Sequence, residues 1–325
     1  MYSALAQYTE TINSNRPGAS QGAFAVGRQV VQAESGIDFG NDTHSLRQFD
    51  SDIFGVNFGL RYGLLFERLE ISGNIRYQVN QVSFTSGRAP DDIIQGLEST
   101  LLGAKYLLYD PYKYETEEVN LYSYHANNKF KWKTLIPAVS VYAAGVFDFT
   151  VNPFREFLAA GSGIEIEQGI SPNVAVITQN NWGRWVWVNN FIADRITTEF
   201  PSYIWITTMT HAFNPRFSGF AEAQLINGDL NSDLLGRAGA AYLITPNFQV
   251  DVSGLFNVKD TPSRWNVGIG ASYRLDFHDK DEQLEIKEDE KGSAKKQSDR
   301  INKKNKKKNK RKDAVDPGGD DGGGI

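Results

Sequence analysis

Between Phe54 and Asn80 the chain switches between apolar and polar at nearly every step. Val56, Phe58, Leu60, Tyr62 and Leu64 share one face, and Gly55, Asn57, Gly59, Arg61 and Gly63 share the other. Beyond Phe66 and Glu67 the alternation resumes, with Leu69, Ile71, Ile75, Tyr77 and Val79 set against Glu70, Ser72, Asn74, Arg76, Gln78 and Asn80. Period two sustained over both runs predicts a β-hairpin with one apolar and one polar face. Strands of soluble sheets usually run about 5–6 residues. A membrane-spanning strand needs ~9–11, apolar toward lipid and polar toward a lumen. The hairpin therefore predicts a transmembrane β-barrel.

The same pattern can be followed along the chain. Strand one is expected over Arg28–Gly40, with Val31, Ala33, Ile37 and Phe39 outward and Gln32, Glu34 and Asp38 inward. Strands two and three form the hairpin, and strand four covers Gly96–Tyr109 with Leu102, Ala104, Tyr106 and Leu108 outward. Strands five to eight are expected over Pro137–Thr150, Asn173–Asn181, Arg184–Thr198 and Ser202–Phe213. The run Trp185–Val188 is too apolar on both faces to orient strand seven. Strands nine to twelve follow at Arg216–Asn227, Leu234–Ile244, Asn247–Asn257 and Arg264–Phe277. The fold class is thus all-β, an antiparallel up-and-down barrel of about 12 strands, an even number as single-chain bacterial barrels prefer. Links of about two residues after strands two, six, eight and ten fall on one rim together with both termini. Short turns of such barrels are periplasmic, so both termini are expected there. One link on that rim, Asp110–Ile136, is long.

Composition agrees with this reading. No run of 18 apolar residues offers a transmembrane helix. A mean hydropathy of −0.42 suits a barrel, half of whose strand residues face a polar lumen. The 20 Phe, 14 Tyr and 6 Trp are enough for aromatic girdles at two interfaces. With no cysteine, disulfides, thiolate nucleophiles and Cys-metal sites are excluded. Ala4-Leu5-Ala6 reads as the end of a secretory signal, so residues 1–6 are expected to be its remnant and the mature chain to begin at Gln7. Residues 7–27 are polar and turn-rich, and are expected at the periplasmic mouth or in the lumen. Residues 278–325 are different material, without aromatics and with 14 Lys+Arg against 12 Asp+Glu arranged in blocks. They are expected to form a disordered periplasmic tail. Its basic run Lys303–Lys312 suits anionic lipid heads, cell-wall acids or an acidic partner, although a merely solvated tail is the reading its composition favours.

Three stretches carry a family likeness: Asn13-Ser14-Asn15-Arg16-Pro17-Gly18, Leu60–Leu64 with Glu67–Glu70, and Ala241–Asp251. Over residues 12–277 the sequence resembles the barrel family named after the MetA pathway of phenol degradation, whose members are usually labelled outer-membrane transporters. The resemblance implies an outer-membrane barrel with a transport role in a Gram-negative bacterium. In that family the residue before Arg-Pro-Gly is commonly Asp, and here it is Asn15.

The expected lumen wall carries Glu34, Arg61, Glu70, Arg76, Glu222, Asp251 and Arg274. Such charges either line a pore that selects polar solutes or staple the lumen shut through ion pairs. In the long link, Tyr112, Tyr114, Tyr122, Tyr124, Phe130 and Trp132 interleave with lysines, which fits a partner-docking surface or a plug. Enzymatic signals are thin. Outer-membrane phospholipases use a His-x-Ser nucleophile, and none of His44, His125, His211 or His278 has Ser two residues later. No pair of His has a metal-ligand spacing, so no cofactor or metal is expected. Asp50 and Asp52 beside Ser51 could hold Ca²⁺ in a surface loop, although a solvated loop also accounts for them. Two roles follow: a channel for small solutes, or a non-conducting barrel subunit of an envelope or secretion complex that docks periplasmic partners through 110–136 and the tail. Outer-membrane lipid is the partner common to both, and no nucleic acid is expected.

Overall fold

The alternation produces a wall without edges. A computed structural model describes residues 11–85, 90–112, 135–160, 166, 168–259 and 261–277. It contains twelve strands: β1 (Val30–His44), β2 (Phe49–Gly63), β3 (Leu69–Phe84), β4 (Asp92–Tyr109), β5 (Ala138–Asp148), β6 (Gly169–Trp182), β7 (Trp185–Asp194), β8 (Ser202–Ala212), β9 (Phe217–Gly228), β10 (Ser232–Thr245), β11 (Phe248–Asn257) and β12 (Ser263–Asp276). Each pairs antiparallel with its sequence neighbours, and β1 closes on β12 in unbroken register from Val30↔Asp276 to Thr43↔Ser263. Closure leaves no row of unpaired N–H and C=O groups, which hydrocarbon could not satisfy.

Outward positions are apolar. Phe58, Leu60, Ile75, Leu102, Val252 and Ile269 form part of an exposed middle band. Aromatic side chains bound it at both edges, with Tyr62, Tyr106, Trp185 and Tyr273 toward the rim that carries Val30 and Asp276 (the near rim). Phe39, Phe54, Tyr203 and Trp265 mark the opposite, far side. An apolar band between two aromatic girdles is the surface a bilayer requires.

The strands depart from the sequence reading mainly at their ends. β1–β4 run 15–18 residues, longer than expected, and β5–β12 run 10–14. The wall is therefore tall on one side, and the extra length places His44, Asp50 and Asp52 within β1 and β2 rather than in a loop. β7 ends at Asp194, short of the expected Thr198, and the β2–β3 link spans residues 64–68 rather than about two. β4 carries a bulge: Arg76↔Ser99 is followed by Tyr77↔Leu97, leaving Glu98 as the extra residue.

One short helix, α1 (Pro153–Ala159), was not anticipated. Its start is encoded locally, for Asn152 accepts hydrogen bonds from the Phe154 and Arg155 amides and Pro153 opens the first turn. Phe154 and Phe157 pack on Phe49, Val82 and Ile94, which point inward at the far ends of β2–β4. The β5–β6 connection thus folds into the far mouth against the taller wall.

Candidate functional site: the lumen

The site is built from inward-facing strand positions and the segment 11–29. That segment makes no strand of its own. It enters at the near rim, where the Ile12 amide donates to the Pro246 carbonyl (2.8 Å), and it leaves where the Gln29 amide donates to the Gly63 carbonyl (3.0 Å). In between it passes around the inside of the barrel, held by side chains from strand after strand. Ser14 meets Ser272 of β12, and the Asn15 amide donates to Glu34 of β1. Glu222 of β9 accepts from the amides of Ala19 and Ser20 and from the Thr208 hydroxyl of β8. Asn190 of β7 both accepts from the Gln21 amide and donates to its carbonyl. Gln179 of β6, Ser140 of β5, Lys105 of β4 and Glu70 of β3 complete the circuit at Ala23, Gly22 and Val26. Asn15 also bends the segment on itself, since its Oδ1 accepts from the Gly22 amide at 3.1 Å. An Asp at this position would supply the same acceptor.

Arg16 is the deepest anchor. Its guanidinium donates to both carboxylate oxygens of Asp251 and, at 2.6 Å, to Asn57 Oδ1. It lies over Gly36 and Gly270, which are register partners on β1 and β12. A Cβ at either would sit 2.4 or 2.1 Å from Arg16 Nη2, so side chains larger than hydrogen leave no room for it.

A second cluster fills the near half. Arg61 donates to both oxygens of Glu70 at 2.9 Å and to Glu34 at 3.3 Å, and Lys105 Nζ lies 3.2 Å from Glu70. All four side chains are nearly inaccessible. Such buried ions persist only when each is paired and hydrogen-bonded, and the Asn13 and Gly22 carbonyls absorb the remaining donors of Arg61 and Lys105. Glu222 pairs with Arg237 at 2.7 Å, and Arg274 pairs with Asp276 at 3.0 Å. Of the seven charged residues anticipated from sequence, Glu34, Arg61, Glu70, Glu222, Asp251 and Arg274 sit in this near half, and Arg76 sits in the far half. Arg16 and Lys105 were not singled out, and Asp38 was expected inward without a role. Lys105 was legible, because it alternates with the outward Ala104 and Tyr106.

The far half is more open. Arg76 bridges Asp38 (2.7 and 2.8 Å) and Glu98, whose side chain the β4 bulge presents to it. Arg76 and Glu98 stay partly accessible, 27% and 39%, while Asp38 is buried; Asn74, in the row of Gly59 and Glu34, is exposed although it faces inward. Arg264 pairs with Asp42, and Arg195 joins Asp148 and Asp194. Asp233 accepts from Asn257. The six inward carboxylates Asp38, Asp42, Glu98, Asp148, Asp194 and Asp233 meet three guanidinium groups on the described wall, with Asp92 of β4 and Arg155 of α1 also at the far mouth.

The opposite wall carries a short apolar row, with Asp194 and Asp233 beside it. Ala175 of β6 pairs with Ile192 of β7, Ile192 with Ile204 of β8, and Ile204 with Ile226 of β9. The four form one row across the inner surface, in register with the far half of the lumen. This resolves the Trp185–Val188 ambiguity: Val186 and Val188 share the inward face of β7 with Asn190, while Trp185 and Phe191 face lipid. The run reads as apolar on both faces because both faces of its first four residues are.

Tyr112, at the start of the long link, turns toward the barrel. Its hydroxyl accepts from the Asn181 amide at 2.7 Å and its ring lies 6.2 Å from that of Phe24. A cavity of about 280 Å³ beside it is lined by Ile12, Asn13, Phe24, Arg68, Leu107 and Asp110. Tyr114, Tyr122, Tyr124, Phe130 and Trp132 lie outside the described residues, as do the expected signal remnant at 1–6 and the tail at 278–325.

Residues 14–275 match the family model described as "Putative MetA-pathway of phenol degradation". The chain belongs to this family. Among solved structures, an outer membrane channel from Pseudomonas putida F1 is similar to this family member with a TM-score of 0.51 and 10% identity, covering 81% of this chain and 100% of that one. The transport unit of the autotransporter AIDA-I from Escherichia coli gives a TM-score of 0.45 at 10% identity, over 81% of this chain and 92% of the other. The translocator domain of the autotransporter NalP from Neisseria meningitidis gives 0.43 at 8% identity, over 76% and 88%. No curated protein matches the chain. At 10% identity the likeness to the Pseudomonas channel is one of fold.

Proposed function

We propose that this protein is an outer-membrane channel for small solutes, narrowed in its near half by its own segment 11–29. The observation that supports this most is the contrast between the two halves of the lumen. The far half keeps inward charged groups accessible to water, at Arg76 and Glu98. The near half is crossed by a segment that is held through side-chain hydrogen bonds and not by strand pairing. Each such bond can be exchanged for one to water at a net cost of about 1 kcal/mol, so the segment can shift while the barrel stays closed. Glu34, Arg61, Glu70, Arg76, Glu222, Asp251 and Arg274 line the path in this reading, those of the near half by fixing the segment. Passage along such a path requires no catalytic group. The near rim faces the periplasm, in keeping with its short turns. Proteoliposome swelling in isosmotic small solutes tests the role: swelling faster than in protein-free vesicles is expected, and impermeability to every solute down to glycine contradicts it.

A second role, docking of an envelope partner through 110–136, is not favoured. The one aromatic of that link within the described residues, Tyr112, is engaged with Phe24 and Asn181.

A further inference from the structure

Barrel lumens are ordinarily polar throughout, so an inward apolar row calls for a reason. Ile192, Ile204 and Ile226 are half-buried inward residues; Ile192 borders the apolar cluster around Ala23 and Ala175, and Ile226 has Asp233 as its register partner on β10. The three lie level with the outward girdle residues Tyr203 and Trp205, their strand neighbours on β8. The same girdle passes Phe39 and Phe54 on the other side of the barrel, beside inward Asp38 and Gly55. In a closed ring of twelve, β7–β9 stand six strands from β1–β3. The apolar row and the Asp38–Arg76–Glu98 group therefore face one another across the lumen at one depth.

Among the described wall residues, carboxylates outnumber guanidiniums in the far half, with Asp38, Asp42 and Glu98 on the polar wall and Asp148, Asp194 and Asp233 on β5, β7 and β10 against Arg76, Arg195 and Arg264, while Arg155 of α1 adds a cation at the mouth. Asp42, buried on the polar wall, leaves Oδ1 without a hydrogen-bond partner among the described residues while Oδ2 takes Arg264. Low-dielectric walls focus such an excess along the axis, and inward carboxylates favour cations. An anion would meet the same excess as repulsion. An inorganic cation would gain nothing from the isoleucines.

We propose that the far half of the lumen selects small organic cations with an apolar body, the ammonium directed to the carboxylates of β1 and the β4 bulge and the hydrocarbon laid on Ile192, Ile204 and Ile226. This rests on the channel reading and adds to it a sign and a shape. Arylalkyl ammonium ions have both features, whereas arylalkyl carboxylates have only the apolar body and short alkyl ammonium ions only the charge.

The test uses the full chain in planar bilayers. A potassium chloride gradient is expected to give a reversal potential on the cation side, and anion preference would overturn the proposal. Phenethylammonium is expected to block the potassium current at roughly tenfold lower concentration than ethylammonium, and phenylacetate is expected not to block. In Ile204→Asn/Ile226→Asn the ratio of the two ammonium ions should fall toward one, and in Glu98→Gln the cation preference should shrink. A ratio unchanged in the double variant, or block by phenylacetate as strong as by phenethylammonium, overturns the assignment. Absence of any current would count against the channel reading itself. Titration calorimetry of the detergent-solubilised protein then decides the inference separately: binding of phenethylammonium in preference to phenylacetate supports it, and equal or absent binding refutes it.

Discussion

Arg16 and Asp251 meet inside the barrel through two hydrogen bonds, Nη2 to Oδ1 at 3.0 Å and Nε to Oδ2 at 3.2 Å, with the Asp251 side chain wholly inaccessible. The pair ties the entry limb of the internal segment to β11. Removing one member leaves the other as an uncompensated buried charge, which typically costs about 3–5 kcal/mol. Asp251→Asn is therefore expected to speed amide hydrogen exchange at residues 13–20 by roughly 100-fold or more, with wall amides of β1 and β12 unaffected. Unchanged protection at 13–20 would mean that the remaining bonds hold the segment alone.

Gly270→Ala should reproduce that effect without touching a charge. The new Cβ would meet Arg16 Nη2 at 2.1 Å, and the guanidinium must leave the wall. Gly254→Ala is the control, since a Cβ there meets nothing within 4 Å. If exchange at 13–20 is the same in both variants, Arg16 does not depend on the glycine cradle.

The near-half cluster makes an ordering prediction. Glu70 faces Arg61 and Lys105 together, so Glu70→Gln leaves Lys105 without a carboxylate and Arg61 with Glu34 alone, whereas Lys105→Met leaves Glu70 its two bonds to Arg61. Urea unfolding in detergent should show a loss of about 3–5 kcal/mol for Glu70→Gln and clearly less for Lys105→Met. The reverse order would contradict the pairing described.

Orientation can be read in cells because the chain contains no cysteine. Leu46, between β1 and β2, is 84% exposed at the far rim, and Gly183 occupies the near-rim turn between β6 and β7 with φ +61°, a value Asn tolerates better than Cys. Arg184 beside it is a gentler near-rim position. A membrane-impermeant maleimide should label Leu46→Cys on intact cells and Arg184→Cys only after the outer membrane is opened. The opposite pattern would invert the barrel.

Much of the wall was legible because period-two alternation is a direct image of a two-sided sheet. It runs cleanly through β1–β3, β11 and β12, where lipid and polar lumen impose opposite demands. It failed in β7, where Val186, Val188 and Ile192 join the apolar cluster around Ala23 and Phe24 of the internal segment and remove the contrast. It also missed the flip in β4, because the extra residue at Glu98 shifts parity within one strand. The internal segment left a different kind of trace. Its backbone is satisfied by partners such as Glu222 and Asn190, some 170–200 residues away, and no local period encodes that. Its polarity suggested a mouth or lumen position, while the partners belong to tertiary structure. The same holds for α1: the Asn152-Pro153 cap is visible in sequence, but seven residues are too few to announce a helix by periodicity.

Single-channel recording of the intact protein beside Arg16→Ala tests the central claim most directly. The account predicts a small, steady conductance for the intact chain and a larger one when Arg16 no longer pins the segment to Asp251 and Asn57. Equal conductance in the two would show that segment 11–29 does not narrow the path. Silence in both would contradict the channel.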